Sequence, residues 1–310
     1  MRNAFAQELT QLAKEESRLV FLSGDIGNKL FDAFKAQCPD RFYNCGVAEQ
    51  NMMGVAAGMA KSGLKPIVYT ITPFATTRCY EQIRVDVCSH NLPVIIAGVG
   101  SGLSYASLGP THQSCEDIAL LRVLPNMTVL CPGDAMEVRA TLRAAIRHSG
   151  PVYLRLGKKG EPVVHQTIPS LTIGRALEMA AGKDLCLLST GNILPLAMDV
   201  ARQLEQSKLS TRVISFHTVK PLDATLLTEI FIKYPLVVTL EEHSLLGGFG
   251  SAIAEWKTDY SEGKGKLIRF GTGDDYIHIT GDQNYARERF GLTCDLLCKK
   301  ILEVYKKTIL

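Results

Sequence analysis

Short runs of valine, isoleucine and leucine, uninterrupted by polar residues, recur along this chain, and each is followed by a stretch long enough for a helix. A strand that is apolar on both sides is stable where both sides are covered, as in a parallel sheet sandwiched between helices. The pattern predicts strands at 19–22, 67–71, 94–99, 127–131 and 152–156, with helices at 4–16, 49–61, 78–88 and 135–147. The first helix aligns Phe5, Leu9, Leu12 and Ala13 on one face. Two helices run into similar wording, His90-Asn91-Leu92-Pro93 and His148-Ser149-Gly150-Pro151, in which a histidine, a turn residue and a proline make a stop signal. His90 and His148 are therefore read as C-terminal caps. The period lapses from Lys158-Lys159-Gly160-Glu161-Pro162 to about Ser170 and then resumes. Strands are expected at 185–189, 212–216, 236–240 and 267–270, and helices at 195–206, 224–232, 250–259 and 287–305. The expected fold class is α/β: two consecutive domains, 1–158 and 172–310, joined by a linker at 159–171, each a mostly parallel sheet flanked by helices.

Composition narrows the function classes. The 310 residues suit two domains, and 46% hydrophobic with 21% charged residues excludes a disordered chain. Thirty-four basic against 31 acidic residues leave a net charge of +3, which gives no electrostatic case for nucleic acid or an anionic membrane surface. No apolar run approaches the length of a membrane span, and the residues from Met1 to Glu8 hold no apolar signal core. Nine cysteines form no CxxC pair, and several lie in apolar runs such as Leu185-Cys186-Leu187. They are read as buried, reduced thiols of a cytoplasmic protein rather than a disulfide or zinc framework.

Open α/β sheets bind ligands beyond the carboxyl ends of their strands, and four features fall in such places. Gly46-Val47-Ala48-Glu49-Gln50-Asn51 opens a helix rich in small residues, Gly54, Ala56, Ala57, Gly58 and Ala60, which suits close packing on a neighbour. Taken alone, Glu49 also fits an ordinary first-turn glutamate stabilised by the helix dipole. Pro73-Phe74-Ala75-Thr76-Thr77-Arg78 follows a strand, and Phe74 alone fits a core aromatic. Gly109-Pro110-Thr111-His112-Gln113 closes the loop that begins Gly98-Val99-Gly100-Ser101-Gly102, whose spacing is wrong for a dinucleotide cradle. Arg155, in the strand Pro151-Val152-Tyr153-Leu154-Arg155-Leu156, needs an anionic partner, either an internal carboxylate or a substrate phosphate.

In this order the motifs resemble the transketolase family of thiamine-diphosphate enzymes over nearly the whole chain. Val47-Ala48-Glu49-Gln50 looks like that family's cofactor-glutamate motif. Gly109-Pro110-Thr111-His112-Gln113 with Leu124-Pro125-Asn126-Met127 looks like its substrate loop. Lys220-Pro221-Leu222-Asp223, Glu241-Glu242-His243 and Gly247-Gly248-Phe249-Gly250 resemble its C-terminal domain. The resemblance implies a pyrimidine-binding domain followed by a transketolase C-terminal domain. The family's Gly-Asp-Gly motif for the cofactor diphosphate and its metal is missing: Gly24-Asp25, Gly133-Asp134, Gly273-Asp274 and Gly281-Asp282 all lack the second glycine. The chain thus looks like the C-terminal half of a split transketolase. Its implied partner is a separate N-terminal subunit that carries Gly-Asp-Gly and most of the contacts to thiamine diphosphate and Mg2+ or another divalent cation, in a dimer of heterodimers.

By the same resemblance, Glu49 is the carboxylate at the cofactor's pyrimidine N1′, Phe74 stacks on that ring, and Asp25 lies near the cofactor. His112 handles protons or hydrogen bonds on the ketose hydroxyls, while Arg155 and Arg2 hold a sugar phosphate. The implied reaction moves a two-carbon ketol unit from a ketose to an aldehyde. The sequence departs from the family at Leu108, where an acidic residue usually precedes Gly-Pro-Thr-His; leucine cannot accept a hydrogen bond from an acceptor hydroxyl. Alternatives are a 1-deoxyxylulose-5-phosphate synthase-like activity, the beta-type subunit of a 2-oxo acid dehydrogenase, and a non-catalytic assembly partner.

Overall fold

A computed structural model describes residues 1–27, 29–278 and 281–309. Its strands are β1 (Leu19–Ser23), β2 (Phe42–Asn44), β3 (Lys65–Ile71), β4 (Ile95–Val99), β5 (Thr128–Leu130), β6 (Val152–Leu156), β7 (Leu177–Ala180), β8 (Leu185–Thr190), β9 (Thr211–Ser215), β10 (Thr218–Lys220), β11 (Leu236–Ser244) and β12 (Lys266–Thr272). The helices are α1 (Arg2–Glu15), α2 (Asp32–Gln37), α3 (Glu49–Lys61), α4 (Thr72–Ala75), α5 (Tyr80–Gln82), α6 (Asp117–Arg122), α7 (Ala135–Arg147), α8 (Leu194–Gln206), α9 (Ala224–Lys233), α10 (Phe249–Tyr260), α11 (Gln283–Arg289) and α12 (Cys294–Ile309).

The first sheet runs β10-β5-β6-β4-β3-β1-β2 and the second β12-β11-β8-β9-β7. Within the first sheet β1 to β6 are parallel to one another, with Ser23 opposite Asn44 and Tyr69, and Val99 opposite Ile71 and Leu156. That register brings the carboxyl ends of β1, β2, β3, β4 and β6 to one edge. The chain moves outward from β1 to β2 and returns to β3 on the other side of β1, so the order reverses there, the arrangement that opens a ligand crevice in α/β sheets. Of the expected strands, β1, β4, β6 and β8 are buried along their full length, whereas β12, at the edge of the second sheet, is mostly half-buried or exposed. On one face of the first sheet an aromatic cluster of Phe5, Phe21, Phe31, Phe34 and Tyr69 fills the core, with Phe21 and Phe31 ring centroids 4.4 Å apart. The other face packs Met52, Met53 and Ala56 of α3 on Val68 and Ile96, in a core that continues to Leu188, Phe249 and Trp256 of the second unit.

Three short strands, β2, β7 and β10, escape the apolar pattern because they are brief and lie at sheet edges, where one side needs no cover. Both β7 and β10 are antiparallel, and β10, although later in the chain than the linker, joins the first sheet against β5. The expected helix at 78–88 is instead a succession of short turns ending in a π-helical segment, Ile83–Cys88. The expected helix at 287–305 is divided into α11 and α12: Gly291 takes a left-handed φ of 69°, and the Gly291 and Leu292 amides close back on Glu288 and Arg287. His148 does stand at the C-cap of α7, whereas the helical segment before His90 ends one residue sooner, at a Ser89 cap. The small residues of α3 divide: Ala56, Ala57 and Ala60 are buried, while Gly54 and Gly58 face open space.

The second unit is fastened to the first by buried polar groups. Asp134 caps α7 through one carboxylate oxygen (Met136 N at 2.9 Å, Glu137 N at 2.8 Å) and holds the linker with the other (Val164 N and His165 N, each at 2.8 Å). Glu242 of β11 accepts from the Leu103 amide of the first unit at 2.7 Å and from Gln283 at 2.9 Å, and pairs with Arg287. Gly102 (φ 62°) is needed there, since a Cβ would stand 2.7 Å from the Glu242 carbonyl oxygen. Gly100 likewise makes room for the Tyr105 ring. The glycine-rich loop thus serves close packing rather than a phosphate cradle.

Candidate functional site

Glu49 follows β2 as the first residue of α3, and its side chain is only 2% exposed. Both of its oxygens lie 3.0 Å from Nη1 of Arg78, which donates to them. The Arg78 guanidinium carbon in turn sits 3.9 Å from the centre of the Phe74 ring. Phe74 belongs to α4, the turn immediately after β3, and is half-buried. The His112 ring meets Phe74 edge-to-face, with centroids 5.3 Å apart. His112 Nδ1 is 2.9 Å from the Thr111 hydroxyl, and Tyr105 approaches the imidazole edge-on at 6.5 Å. Residues from three loops, after β2, β3 and β4, therefore form one continuous constellation at the carboxyl edge of the sheet. Parallel strand order brings them together from positions 49, 74 and 112.

The other expected residues are placed differently. Asp25 follows β1 at the same edge, exposed and in a left-handed conformation (φ 55°), and accepts from Asn44 Nδ2 at 2.8 Å. Arg2 begins α1, and its amide donates to the Lys158 carbonyl beyond β6 at 3.0 Å, so it too stands at this edge. Its Nε is buried without a hydrogen-bond partner.

Arg155 requires a correction. Its side chain is 1% exposed and is paired with Asp117, itself fully buried, through Nε at 2.7 Å and Nη2 at 3.1 Å. It also donates to the carbonyls of Ser114 at 3.3 Å and Glu242 at 3.0 Å. Of the two partners the sequence left open, the structure shows the internal carboxylate. Because Arg155 lies inside β6 rather than beyond it, the guanidinium turns into the joint between the two units. Its Nε and Nη2 are spent on these internal partners.

Around this pair the Glu241-Glu242-His243 string finds a structural role. His243 donates from Nδ1 to the Ser244 carbonyl at 2.8 Å and accepts the Ala119 amide on Nε2 at 3.3 Å, and burial pushes its pKa down to about 4. Glu241 receives the Phe249 amide at 2.6 Å and the Gly250 amide at 2.7 Å at the start of α10; burial nevertheless raises its carboxyl to about 7.

Sequence reading missed Arg78 and Asp117 as participants. Arg78 had a signal: it lies four residues from Phe74, a spacing that lets the two side chains stack on consecutive turns. Asp117 had only an indirect one, the unmet need of an arginine in an apolar strand for a carboxylate.

The donor set fits an aminopyrimidine. A buried carboxyl group can hydrogen-bond a ring nitrogen, a half-buried aromatic face offers a flat wall, and an imidazole stands beside that ring. Among the described residues no group of three or more His, Cys, Asp or Glu side chains could hold a metal ion, and none is assigned to one.

Comparison with known proteins shows the family. The transketolase pyrimidine-binding domain matches residues 1–161, and the transketolase C-terminal domain matches residues 174–295. A putative transketolase C-terminal section from Methanocaldococcus jannaschii is 33% identical over 310 residues, covering 99% of this chain and 96% of that protein. A 6-deoxy-6-sulfo-D-fructose transketolase subunit from a Clostridium species is 33% identical, covering 99% and 95%. A 1-deoxy-D-xylulose-5-phosphate synthase from a Synechococcus species is 34% identical, but the chain spans only 47% of its length. A solved structure of a split gene transketolase, described as an inactive beta4 tetramer, superposes with a TM-score of 0.88 at 35% identity and covers 98% of this chain and 97% of that one. With both domain types in tandem and relatives of matching length, the chain belongs to the transketolase family.

Proposed function

We propose that the chain is the C-terminal subunit of a split, thiamine-diphosphate-dependent transketolase that moves a two-carbon ketol unit from a ketose, as its phosphate, to an aldehyde acceptor. The observation that carries this reading is the Glu49–Phe74–His112 constellation at the sheet edge, in which Arg78 joins Glu49 (3.0 Å) to the Phe74 ring (3.9 Å) and His112 meets that ring at 5.3 Å. Thiamine diphosphate, when bound, supplies the nucleophilic carbon of the reaction. Glu49 would hold the pyrimidine by a hydrogen bond to N1′, and Phe74 would fix its plane. His112, flanked by Thr111 and Tyr105, would exchange protons or hydrogen bonds with ketose hydroxyls. Arg2, with its buried and unpartnered Nε, is the remaining candidate for a substrate phosphate. Asp25 stays a candidate neighbour of the cofactor.

A partner N-terminal subunit carrying Gly-Asp-Gly would supply the diphosphate and Mg2+ contacts. Exposed apolar side chains beside the site, Val47 at 74% and Tyr43 at 41%, suit a surface that another chain covers. Relatives of the same length are named as a transketolase subunit and a C-terminal section, in keeping with a two-chain enzyme.

Leu108 favours a second reading. It is 52% exposed in the substrate loop, four residues before His112, and gives that approach an apolar side chain. A synthase-like reaction that takes pyruvate would tolerate it. Co-purification of the chain with the polypeptide bearing Gly-Asp-Gly, followed by a donor screen, separates the two. Turnover with ketose phosphates and not pyruvate is expected; turnover with pyruvate alone would establish the synthase-like activity instead.

A further inference from the structure

The guanidinium of Arg78 makes the same two contacts that the site reserves for a pyrimidine. It is planar and delocalised, lies 3.9 Å over the Phe74 ring, and donates to both oxygens of buried Glu49 at 3.0 Å. A guanidinium and an aminopyrimidine protonated at N1′ share flatness, stacking on aromatic rings, a positive charge, and an N–H that a carboxylate accepts. The two cannot lie together on the same ring face and carboxylate. Arg78 is also free to leave: its side chain is 41% exposed, whereas Glu49 is 2% exposed and cannot follow it.

We propose that Arg78 is a resident occupant of the pyrimidine seat, which neutralises Glu49 in the unloaded chain and must swing toward solvent before the ring can enter. This rests on the reading of Glu49 and Phe74 as the cofactor's seat. Arg78 is then a positioning residue that sets cofactor affinity. While it occupies the seat, the binding-competent fraction is small, and the apparent dissociation constant rises by the reciprocal of that fraction. It also keeps a buried carboxylate from standing uncompensated before loading.

The test uses the full chain and the free fragment 4-amino-5-hydroxymethyl-2-methylpyrimidine, so that neither turnover nor the diphosphate site is involved. Fragment affinity is measured calorimetrically for the wild type and for Arg78→Ala, Glu49→Gln and Phe74→Ala, together with the NMR shifts of the Arg78 side chain, which the Phe74 ring current should displace upfield. If Arg78 holds the seat nine-tenths of the time, Arg78→Ala binds the fragment about tenfold more tightly than wild type. In the wild type, the Arg78 signals then move back toward random-coil positions as the fragment is added. Unchanged or weaker binding by Arg78→Ala, with Glu49→Gln and Phe74→Ala still weakened, overturns the proposal and leaves the seat in place. Equal binding by all four proteins, or by none, overturns the seat as well.

Discussion

Arg155 holds its full charge inside the protein, and such a charge is stable there only while its counter-charge remains. Burial opposes the charge, but the charge and hydrogen bonds of Asp117 outweigh it, and the guanidinium pKa is raised. Arg155→Leu leaves Asp117 buried and unpaired, a loss of about 3–5 kcal/mol. Urea unfolding should show that loss, and the double substitution Arg155→Leu with Asp117→Leu should recover part of it; a phosphate-binding arginine would instead raise KM and leave stability unchanged. His217 acts in the opposite sense from a paired charge. It is buried against Thr218, with Nδ1 2.9 Å from the hydroxyl, and desolvation lowers its pKa from 6.5 to about 4. Between those values the unfolded chain binds a proton that the folded chain does not, so this group's contribution is present above about 6.5 and is lost as the pH falls toward 4. The stability difference between wild type and His217→Asn should therefore shrink over that interval in denaturant titrations at stepped pH. A difference independent of pH would show that the imidazole titrates normally.

At the scale of elements, the loop after β4 owes its path to glycines. Gly102→Ala forces a side chain into a left-handed backbone against Glu242, and the backbone conformation alone costs about 1–2 kcal/mol. A fall in the thermal midpoint is expected, and an unchanged midpoint would mean the loop tolerates another path. The buried strands were legible because a parallel strand covered on both faces must be apolar throughout; β6 occupies the expected 152–156. β2, β7 and β10 were not legible, since three or four residues at an edge carry too little periodicity to register. The turns at 77–88 carried an apolar spacing that suits a helix, but tertiary packing set their geometry. Glu49, Phe74 and His112 were legible through their loops. Arg78 was not, because its role arises from stacking across a turn, and Asp117 was not, because its partner is 38 residues away. Arg155 was half-legible: its need for an anion follows from its strand, but the direction of its side chain follows from the joint beneath.

For the whole molecule, seven strands that include one from beyond the linker, and an apolar core shared by both units, make the chain a single platform with an open working edge. On the proposed reading the platform offers a pyrimidine seat, and the diphosphate and metal contacts fall to a partner. The isolated chain should therefore bind thiamine diphosphate weakly and without dependence on magnesium by calorimetry; tight, magnesium-dependent binding would put the diphosphate site on this chain. The most direct test of the family chemistry is the turnover of Glu49→Ala in the complex with the subunit that carries Gly-Asp-Gly. Ketol transfer should fall by at least about 100-fold while circular dichroism and complex formation stay as in the wild type. Undiminished transfer by that variant would contradict the role given to Glu49.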